Sequence, residues 1–395
     1  MGWDVGRVVE GFFHLGVANF VKISMSNTRC TVNLFHMQKR TWLFGWAMTA
    51  FSLFAQTGGT GVFRMLDVPL HSRALAWSGY LVTQPHGDVL QSVSNPGLLN
   101  PVHAKKFALS AGSVLPTVKS ANAVGAWQGR RAMWMAYAQH LDYGSMDAFD
   151  AGGNPQGTVS ANETQVGVGA SVLVAPRFRV GAQLGMVYSV LGPYVSNGVF
   201  ANLGCNYIMR DSVLSWGMLL KNMGTQIVSY RDAGRESMPF NIQTAISISP
   251  KHMPLRFHLT AHSLQRWDLT YDQYLDNGGQ IDLNGKPVVP TEAGFGAKLT
   301  RHLAVGTELA LGQNLSLLVG YSHQRRMEMA TSERRGTSGF GWGMKFRMAK
   351  IDITYGSASY FPGQNSNQFS LVIDPARFAK KRQLISNTHK GVSAL

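Results

Sequence analysis

The sequence ETQVGVGASVLVAPRFRVGAQLGMVYS, residues 163–189, alternates apolar residues with polar or small ones on both sides of Ala175-Pro176. The even positions are apolar throughout 166–174 and again throughout 178–188. Successive side chains of a β-strand point to opposite faces, so this period of two predicts two strands joined by a tight turn. The segments exceed the usual strand of about 5–6 residues and match the roughly 9–11 residues with which a tilted strand crosses a bilayer.

The same alternation continues through most of the chain after Lys106. Backbone polar groups in lipid must pair within the protein, so strands that cross a membrane close into a barrel. The links between the segments alternate short and long, as in bacterial barrels with short periplasmic turns and longer outer loops. The pattern predicts an all-β protein, a 14-stranded antiparallel transmembrane β-barrel with both termini in the periplasm. The predicted strands are 106–113, 121–128, 131–141, 163–174, 177–189, 197–209, 212–221, 239–249, 254–262, 302–311, 314–322, 338–348, 350–359 and 367–374.

Residues 292–300 also alternate like a strand. Counting them would give fifteen strands and would place the tight turn Gly312-Gln313 on the outer side. We therefore interpret 263–301 as one long outer excursion in which 292–300 is the ordered part. Whether 292–300 is a strand or part of the loop stays open at this point.

Composition excludes several other classes of protein. Charged residues are only 14% of the chain, too few for a disordered protein, while mean hydropathy is −0.04. After the leader, no run approaches the roughly 18 apolar residues of a membrane-spanning helix. No repeat of about 20–50 residues stands out, which argues against a β-propeller.

Charge and cysteine content limit the partners and sites. The formal net charge is +15, which could suit nucleic acid, anionic lipid or lipopolysaccharide. We interpret the scattered basic residues as solvated turns plus a basic tail, and expect no nucleic-acid partner. Of the two cysteines, Cys30 is predicted to lie outside the mature chain, so Cys205 has no partner for an intramolecular disulfide. The tail carries a modest cluster of Arg377, Lys380, Lys381 and Arg382.

The N-terminal region has the features of an export signal. Residues 37–56 contain a short basic stretch, an apolar run and a small residue near the end, so we predict a signal peptide that starts at Met37. Residues 1–36 would then be an upstream extension. The alternatives are a start at Met1 and a long cytoplasmic arm before an internal anchor. The signal and the strands together predict an outer-membrane location.

A search for catalytic and metal-binding patterns finds no G-x-S-x-G, C-x-x-C or H-E-x-x-H. His258 and His262 share a strand face, but at β rise they lie about 13 Å apart, too far to chelate one ion. We expect no catalytic residue, metal or cofactor, although motifs alone do not dismiss a Ser/His barrel hydrolase. The glycines at 339, 341 and 343 fit a strand face against a packed plug better than a phosphate loop.

Two predicted outer loops carry Trp, Tyr and Arg, the residue types that dominate the energetics of protein interfaces. We predict partner-binding loops here, while an ordinary aromatic belt at the membrane rim is an equal alternative. The candidate residues are Tyr230, Arg231 and Arg235 in one loop, and Arg266, Trp267, Asp268, Tyr271 and Tyr274 in the other.

Residues 57–104 are not strand-like: they combine a predicted short helix near 72–77 with several Gly and Pro turns. Several stretches here and later in the chain are distinctive: GVFRMLDVP at 61–69, SRA at 72–74, NPGLLNP at 95–101, LTAHSLQRWDLT at 259–270, RHLAVGTE at 301–308 and GYSHQRR at 320–326. They resemble the PorQ family, outer-membrane components of the type IX secretion system of Bacteroidetes. The PorV family and the FadL-like channels are similar more distantly.

The resemblance implies a FadL-like barrel over 105–374, a hatch over 57–104 inside its lumen, and a basic periplasmic tail over 375–395. It implies a non-enzymatic anchor that holds a PorZ-like surface protein, with a sortase-like protease, a PorV-like barrel and lipopolysaccharide as further partners. The alternative is a FadL-like transporter of hydrophobic small molecules. At position 77 the resemblance implies a smaller residue than the Trp77 of this chain. The candidate hatch residues are Phe63, Leu66, Arg73, Asn95 and Pro96.

Overall fold

A computed structural model describes most of the chain from residue 61 to residue 375. The described residues are 61–69, 71–84, 87–150, 152–209, 211–230, 234–270, 294–329, 336–348, 351–361 and 364–375. The predicted extension 1–36, the signal peptide 37–56 and the tail beyond residue 375 lie outside them, and those interpretations stay predictions.

Within this part of the chain, fourteen antiparallel strands form a closed barrel. Each strand pairs with its neighbours in sequence, and β1 pairs with β14 to close the ring. The predicted number of strands and their antiparallel order are confirmed. The strands are β1 Phe107–Ser113, β2 Lys119–Gln128, β3 Met133–Phe149, β4 Pro155–Ala175, β5 Phe178–Leu191, β6 Tyr194–Ile208, β7 Leu214–Val228, β8 Asn241–Ile248, β9 Leu255–Ala261, β10 Leu303–Leu311, β11 Leu315–Ser322, β12 Phe340–Arg347, β13 Ile351–Phe361 and β14 Gln364–Ile373.

The alternation of side chains sets which face of the barrel is polar. On β5, Leu184 and Met186 point outward and are exposed, whereas Gln183 and Ser189 point inward and are buried. This arrangement reverses that of a water-soluble sandwich, because the apolar side chains cover the outside and the polar ones line the interior. None of the described helices is both long and apolar enough to span a bilayer.

The structure differs clearly from the sequence-based boundaries at three places, one of which is β7, predicted to end at residue 221 but continuing to Val228. Residues 142–162 were expected to be a link, but β3 runs to Phe149 and β4 starts at Pro155. Register shifts between Asp142 and Gly144 and between Asp147 and Phe149 interrupt the period of two, which conceals the strands from a pattern search. In the outer excursion, the expected ordered part is a helix, α3 (Phe295–Arg301), rather than a strand.

The described residues between 61 and 104 form a hatch inside the barrel. Helix α1 (Ser72–Ala76) matches the predicted helix near 72–77 and is buried at every position. The hatch also contains helix α2 and three short 3-10 helices; α4 follows β11. These elements are α2 Gln91–Ser94, the 3-10 helices Arg64–Asp67, Pro96–Leu98 and Pro101–His103, and α4 His323–Met329.

Hydrogen bonds tie the hatch to opposite walls of the barrel. The Ser72 hydroxyl donates to Ser370 Oγ on β14 (2.7 Å), and the Ser370 hydroxyl donates to Ser110 Oγ on β1 (3.0 Å). On the other side, the Thr83 hydroxyl donates to Asn206 Oδ1 on β6 (2.8 Å). The hatch therefore crosses the lumen from the closing seam to the wall opposite it.

Candidate functional site

Glycines on β11–β13 let helix α1 lie almost backbone to backbone against the wall. A Cβ atom on Gly320 would stand 2.5 Å from Trp77 Cα, and one on Gly341 would stand 2.7 Å from the Ala76 carbonyl oxygen. A Cβ atom on Gly343 would meet the Ala76 side chain at 2.8 Å. These contacts match the prediction of a glycine-lined strand face against a packed plug.

An ion-pair network lies between the hatch and β10. Arg73 is 2% exposed, and its Nε lies 3.7 Å from Asp88 Oδ2 while its Nη1 lies 3.6 Å from Glu308 Oε2. Arg256 Nη1 reaches the same Glu308 oxygen at 3.2 Å. Burial opposes ionisation of Asp88, yet the neighbouring cations Arg73 and Lys345 leave its pKa below the ordinary value. Charges this deep in a protein persist only when they are paired, so the network fixes the hatch in one position.

Two buried histidines of the hatch are held in the neutral form. Burial lowers the pKa of His71 and that of His103 to about 4 each. His71 Nδ1 accepts from the Ala74 N–H (3.3 Å), which leaves Nε2 to donate to the Ser94 hydroxyl (2.8 Å). Both ring nitrogens are thus used without a second proton, so protonation would break a local hydrogen bond.

The wall opposite α1 presents amide side chains to the hatch. Six consecutive strands, β3 to β8, each contribute one buried amide to the lining of a cavity of about 50 Å³. A space of this size holds on the order of three or four water molecules. The amides are Gln139, Gln165, Gln183, Asn202, Asn222 and Gln243.

The predicted hatch residues are all buried in the lumen. Phe63 and Leu66 belong to an apolar cluster with Phe200 of the wall. Asn95 donates from Nδ2 to the Val82 carbonyl oxygen (2.6 Å), while its Oδ1 accepts from the Gly97 N–H (2.9 Å). Pro96 and Arg73 are buried as well.

Tyr230, predicted as part of a partner-binding loop, is partly buried against the hatch, and its role in partner binding stays a prediction. Its ring lies 6.3 Å from that of Phe63, centroid to centroid, and its hydroxyl donates to Ser189 Oγ (2.5 Å). Arg235 of the same loop is exposed, and Arg231 lies outside the described residues. The geometry therefore separates Tyr230 and Arg235, which the sequence analysis grouped together.

Three predicted residues of the second loop form one cluster with helix α3. Trp267 is half exposed, and its ring lies 5.2 Å from that of Phe295. Asp268 Oδ2 lies 2.6 Å from Lys298 Nζ, and the hydrogen bond from Lys298 holds the pKa of Asp268 below its usual range. Arg266 donates to the Asp268 carbonyl oxygen (3.2 Å). Tyr271 and Tyr274 lie outside the described residues, so their proposed role stays a prediction.

A chain of contacts connects this cluster to the hatch. Tyr80 of the hatch stacks on His262 at 4.0 Å with an interplanar angle of 8°. The His262 N–H donates to the His302 carbonyl oxygen (3.0 Å), and His302 Nε2 hydrogen-bonds the Trp267 carbonyl oxygen (3.0 Å). Tyr80 and Asp88 were missed by the sequence analysis, since nothing local distinguishes them. His302 lies within the stretch 301–308 that carried the family resemblance.

The described residues contain no group of three or more His, Cys, Asp or Glu placed to hold a metal ion. No protein-family model and no curated protein matches the chain. Solved structures that resemble it include the toluene transporter TodX of Pseudomonas putida (TM-score 0.47, 11% identity), covering 78% of this chain and 98% of that one.

Two further solved structures show a similar level of likeness. The CymD monoaromatic hydrocarbon channel has a TM-score of 0.46 at 12% identity, over 78% of this chain and 97% of that one. A Pseudomonas aeruginosa FadL homologue has a TM-score of 0.42 at 10% identity, over 77% and 98%. At this level the likenesses carry no argument about activity, and the barrel rests on the strand pairings themselves.

Proposed function

We propose that this chain is a plugged outer-membrane barrel that anchors a surface protein, as a component of a type IX secretion attachment complex. The observation that carries the proposal is the filled lumen. Among the described residues, the hatch packs against the backbone of one wall and lies beside a small amide-lined cavity of about 50 Å³ at the other. A barrel built for passage of apolar solutes needs a continuous apolar path, which a polar cavity of this size does not provide.

The buried ion pairs support a hatch that stays in place. Displacing Arg73 would leave Asp88 and Glu308 with less compensation in a region shielded from water. Breaking a buried pair costs about 3–5 kcal/mol. A gate that opens for each transported molecule would have to meet this cost repeatedly.

The sequence resemblance supports the identity of the partners. The stretch 61–69 lies in the hatch, and the stretch 301–308 contains Glu308 of the ion-pair network. On this proposal the outer end holds a PorZ-like surface protein, in a complex with a sortase-like protease, a PorV-like barrel and lipopolysaccharide. The loop cluster of Arg266, Trp267 and Asp268 supplies the residue types typical of such contacts.

A second candidate is transport of hydrophobic small molecules across the outer membrane. The specific observation in its favour is that Leu66, Phe200 and Leu219 contribute apolar surface to the cavity beside the hatch. Transport of toluene or monoaromatic hydrocarbons is the activity that the names of TodX and CymD state for those proteins. A ligand in this barrel would have to displace part of the hatch.

The two candidates are separated by affinity purification of the tagged full-length chain from outer membranes in mild detergent. Proteins that co-purify are identified by mass spectrometry, and apolar compounds are extracted from the same sample and analysed. Membranes with the untagged chain are the control. Stoichiometric recovery of a large surface protein with a sortase-like protease or a second barrel supports the anchor. A lone barrel with a bound apolar ligand overturns it and supports the transporter.

A further inference from the structure

The outer parts of β3 and β4 extend beyond both neighbouring strands. β2 pairs with β3 no further than Asp142, and β5 pairs with β4 no further than Ala161. Past these points the two strands pair only with each other, from Ser145 opposite Ser160 to Phe149 opposite Pro155. The described residues 145–150 and 152–159 therefore form a two-stranded ribbon, here called the blade, that projects from the rim of the barrel.

Both edges of the blade have free backbone groups. In the part of the chain that the structure describes, no backbone hydrogen bond joins 145–149 or 155–159 to a strand outside the blade. Such an edge is a template for another strand, because alternate N–H and C=O groups point outward without partners. Met146 is 50% exposed and Phe149 62% exposed, so the blade also offers two apolar side chains to a partner.

The blade is acidic although the whole chain is strongly basic. Residues 145–159 contain two acids, Asp147 and Asp150, and no Lys, Arg or His, whereas the chain has a formal net charge of +15. Asp150 uses its Oδ1 to accept from the N–H groups of Gly152 and Asn154, so it shapes the hairpin turn. Asp147 lies along the exposed edge strand itself. The edge therefore combines unpaired backbone groups with negative charge.

We propose that the blade is a docking edge that takes an extended, Lys- or Arg-bearing segment of a partner protein as an added β-strand. Main-chain hydrogen bonds to the edge supply affinity in this mode of recognition, and the side chains of alternate residues supply selectivity. The acidic residues select basic segments and disfavour acidic ones. This inference rests on the proposed function in one respect, since it assigns to the anchor a contact surface on its outer side.

The register shifts in β3 define how much of the edge is available. They fall between Asp142 and Gly144 and between Asp147 and Phe149, so the regular edge between them is short. Register shifts of this kind twist an edge strand, and a twisted edge cannot pair along its whole length with another strand. The blade is thus suited to one short segment and is protected from pairing with further copies of itself.

The test uses the full-length barrel in detergent micelles and two fluorescent peptides of about ten residues. One peptide alternates Lys with Thr and Val, and its matched control has Glu in place of every Lys. In one variant, residues 147–158 are replaced by Asn-Gly, which joins Met146 to Val159 through a two-residue turn. The second variant is Asp147→Lys, which keeps the blade and inverts one charge.

The wild-type barrel is expected to bind the Lys peptide at least about tenfold more tightly than the Glu peptide, with binding that weakens as salt rises. Asp147→Lys should weaken binding of the Lys peptide severalfold, and the shortened blade should abolish it. Gel mobility of unheated samples verifies that both variants are folded. Equal binding of the two peptides, or undiminished binding by the shortened blade, would overturn the proposal.

The shortened blade also separates this inference from the proposed function. If the tagged wild type recovers no surface protein from membranes, the anchor proposal fails, while Lys-peptide binding still decides the docking edge. If the wild type and the shortened blade recover the surface protein equally, the anchor stands and the docking edge is overturned. Loss of recovery only in the shortened blade, together with selective Lys-peptide binding, supports both.

Discussion

Arg73 Nη1 in the hatch lies 3.6 Å from Glu308 Oε2 in the wall of the barrel, and these side chains are only 2% and 12% exposed. The two residues are far apart in the chain, so their pairing depends on the whole barrel being closed around the hatch. The same Arg73 lies 3.7 Å from Asp88, which belongs to the hatch itself. Arg73 thus stabilises the hatch internally through Asp88, and it also attaches the hatch to the barrel wall through Glu308.

Arg73→Met should destabilise the folded barrel by about 3–5 kcal/mol, because the buried carboxylates of Asp88 and Glu308 lose a common partner. Arg64→Met is the matched control: Arg64 pairs with Asp67 at 3.8 Å but is 58% exposed. Its loss should cost about 0–1 kcal/mol. Urea unfolding monitored by Trp fluorescence measures both values. Equal losses for the two variants would contradict the role given to Arg73.

Gly320→Ala should loosen the hatch, because the new methyl group would stand 2.5 Å from Trp77 Cα in a packed interface. Overpacking of this kind costs about 1–3 kcal/mol. Gly296→Ala is the control, since a Cβ atom there meets nothing within 4 Å. Limited proteolysis of the hatch in micelles reports the difference. If both variants resisted the protease as well as the wild type, the close approach of Gly320 to Trp77 would not be needed to hold the hatch.

The free energy of unfolding should fall as pH drops from about 6.5 towards 4. His71 and His103 have a pKa of about 4 in the folded hatch, because burial disfavours their charged forms. The unfolded chain binds protons near the ordinary His pKa of about 6.5, so acid favours unfolding across this window. Urea unfolding at pH 7.5 and at pH 5 measures the change.

The controls for this pH dependence come from the same residue type. His103→Gln should reduce the pH dependence of the free energy of unfolding. The control is His252→Gln, which should leave that dependence unchanged, because His252 is exposed on the turn after β8. If the free energy of unfolding falls equally between pH 7.5 and pH 5 in the wild type and in both variants, groups other than His103 cause the pH dependence.

Tyr80→Ala should speed hydrogen exchange in α3 and in residues 263–269, because the Tyr80 ring supports His262 and, through it, His302. Tyr80→Phe keeps the stacked ring and should exchange at the wild-type rate. Mass spectrometry of the exchanged peptides gives both results. If Tyr80→Ala leaves the hydrogen-exchange rates unchanged, the cluster of Arg266, Trp267 and Asp268 with α3 does not depend on the hatch.

The barrel could be predicted from the sequence because one physical rule, alternation on a pleated strand, acts on every crossing segment. The number of strands followed from the lengths of the links. The alternation of side chains did not predict the blade, because Gly144, Gly157 and the register shifts interrupt the period of two and are typical of a turn. Helix α3 was missed since a segment as short as 295–301 does not reveal its period.

The site was predictable only in part. The glycines 341 and 343 predicted a plug, because small residues on a strand face leave space that something must fill. The pairing of Arg73 with Glu308 was hidden, since contacts between distant segments leave no local pattern in one sequence. Tyr230 was assigned to a partner-binding loop from its residue type, and its contact with Phe63 of the hatch could not be predicted from that type.

The hydroxyl chain from Ser72 through Ser370 to Ser110 has a consequence for assembly. The seam between β1 and β14 joins the two ends of the barrel sequence and closes the ring. Ser370 bonds both the hatch and β1, so seating of the hatch and closure of the ring share one contact. In the folded barrel, the position of the hatch and the closure of the ring therefore depend on the same side chain.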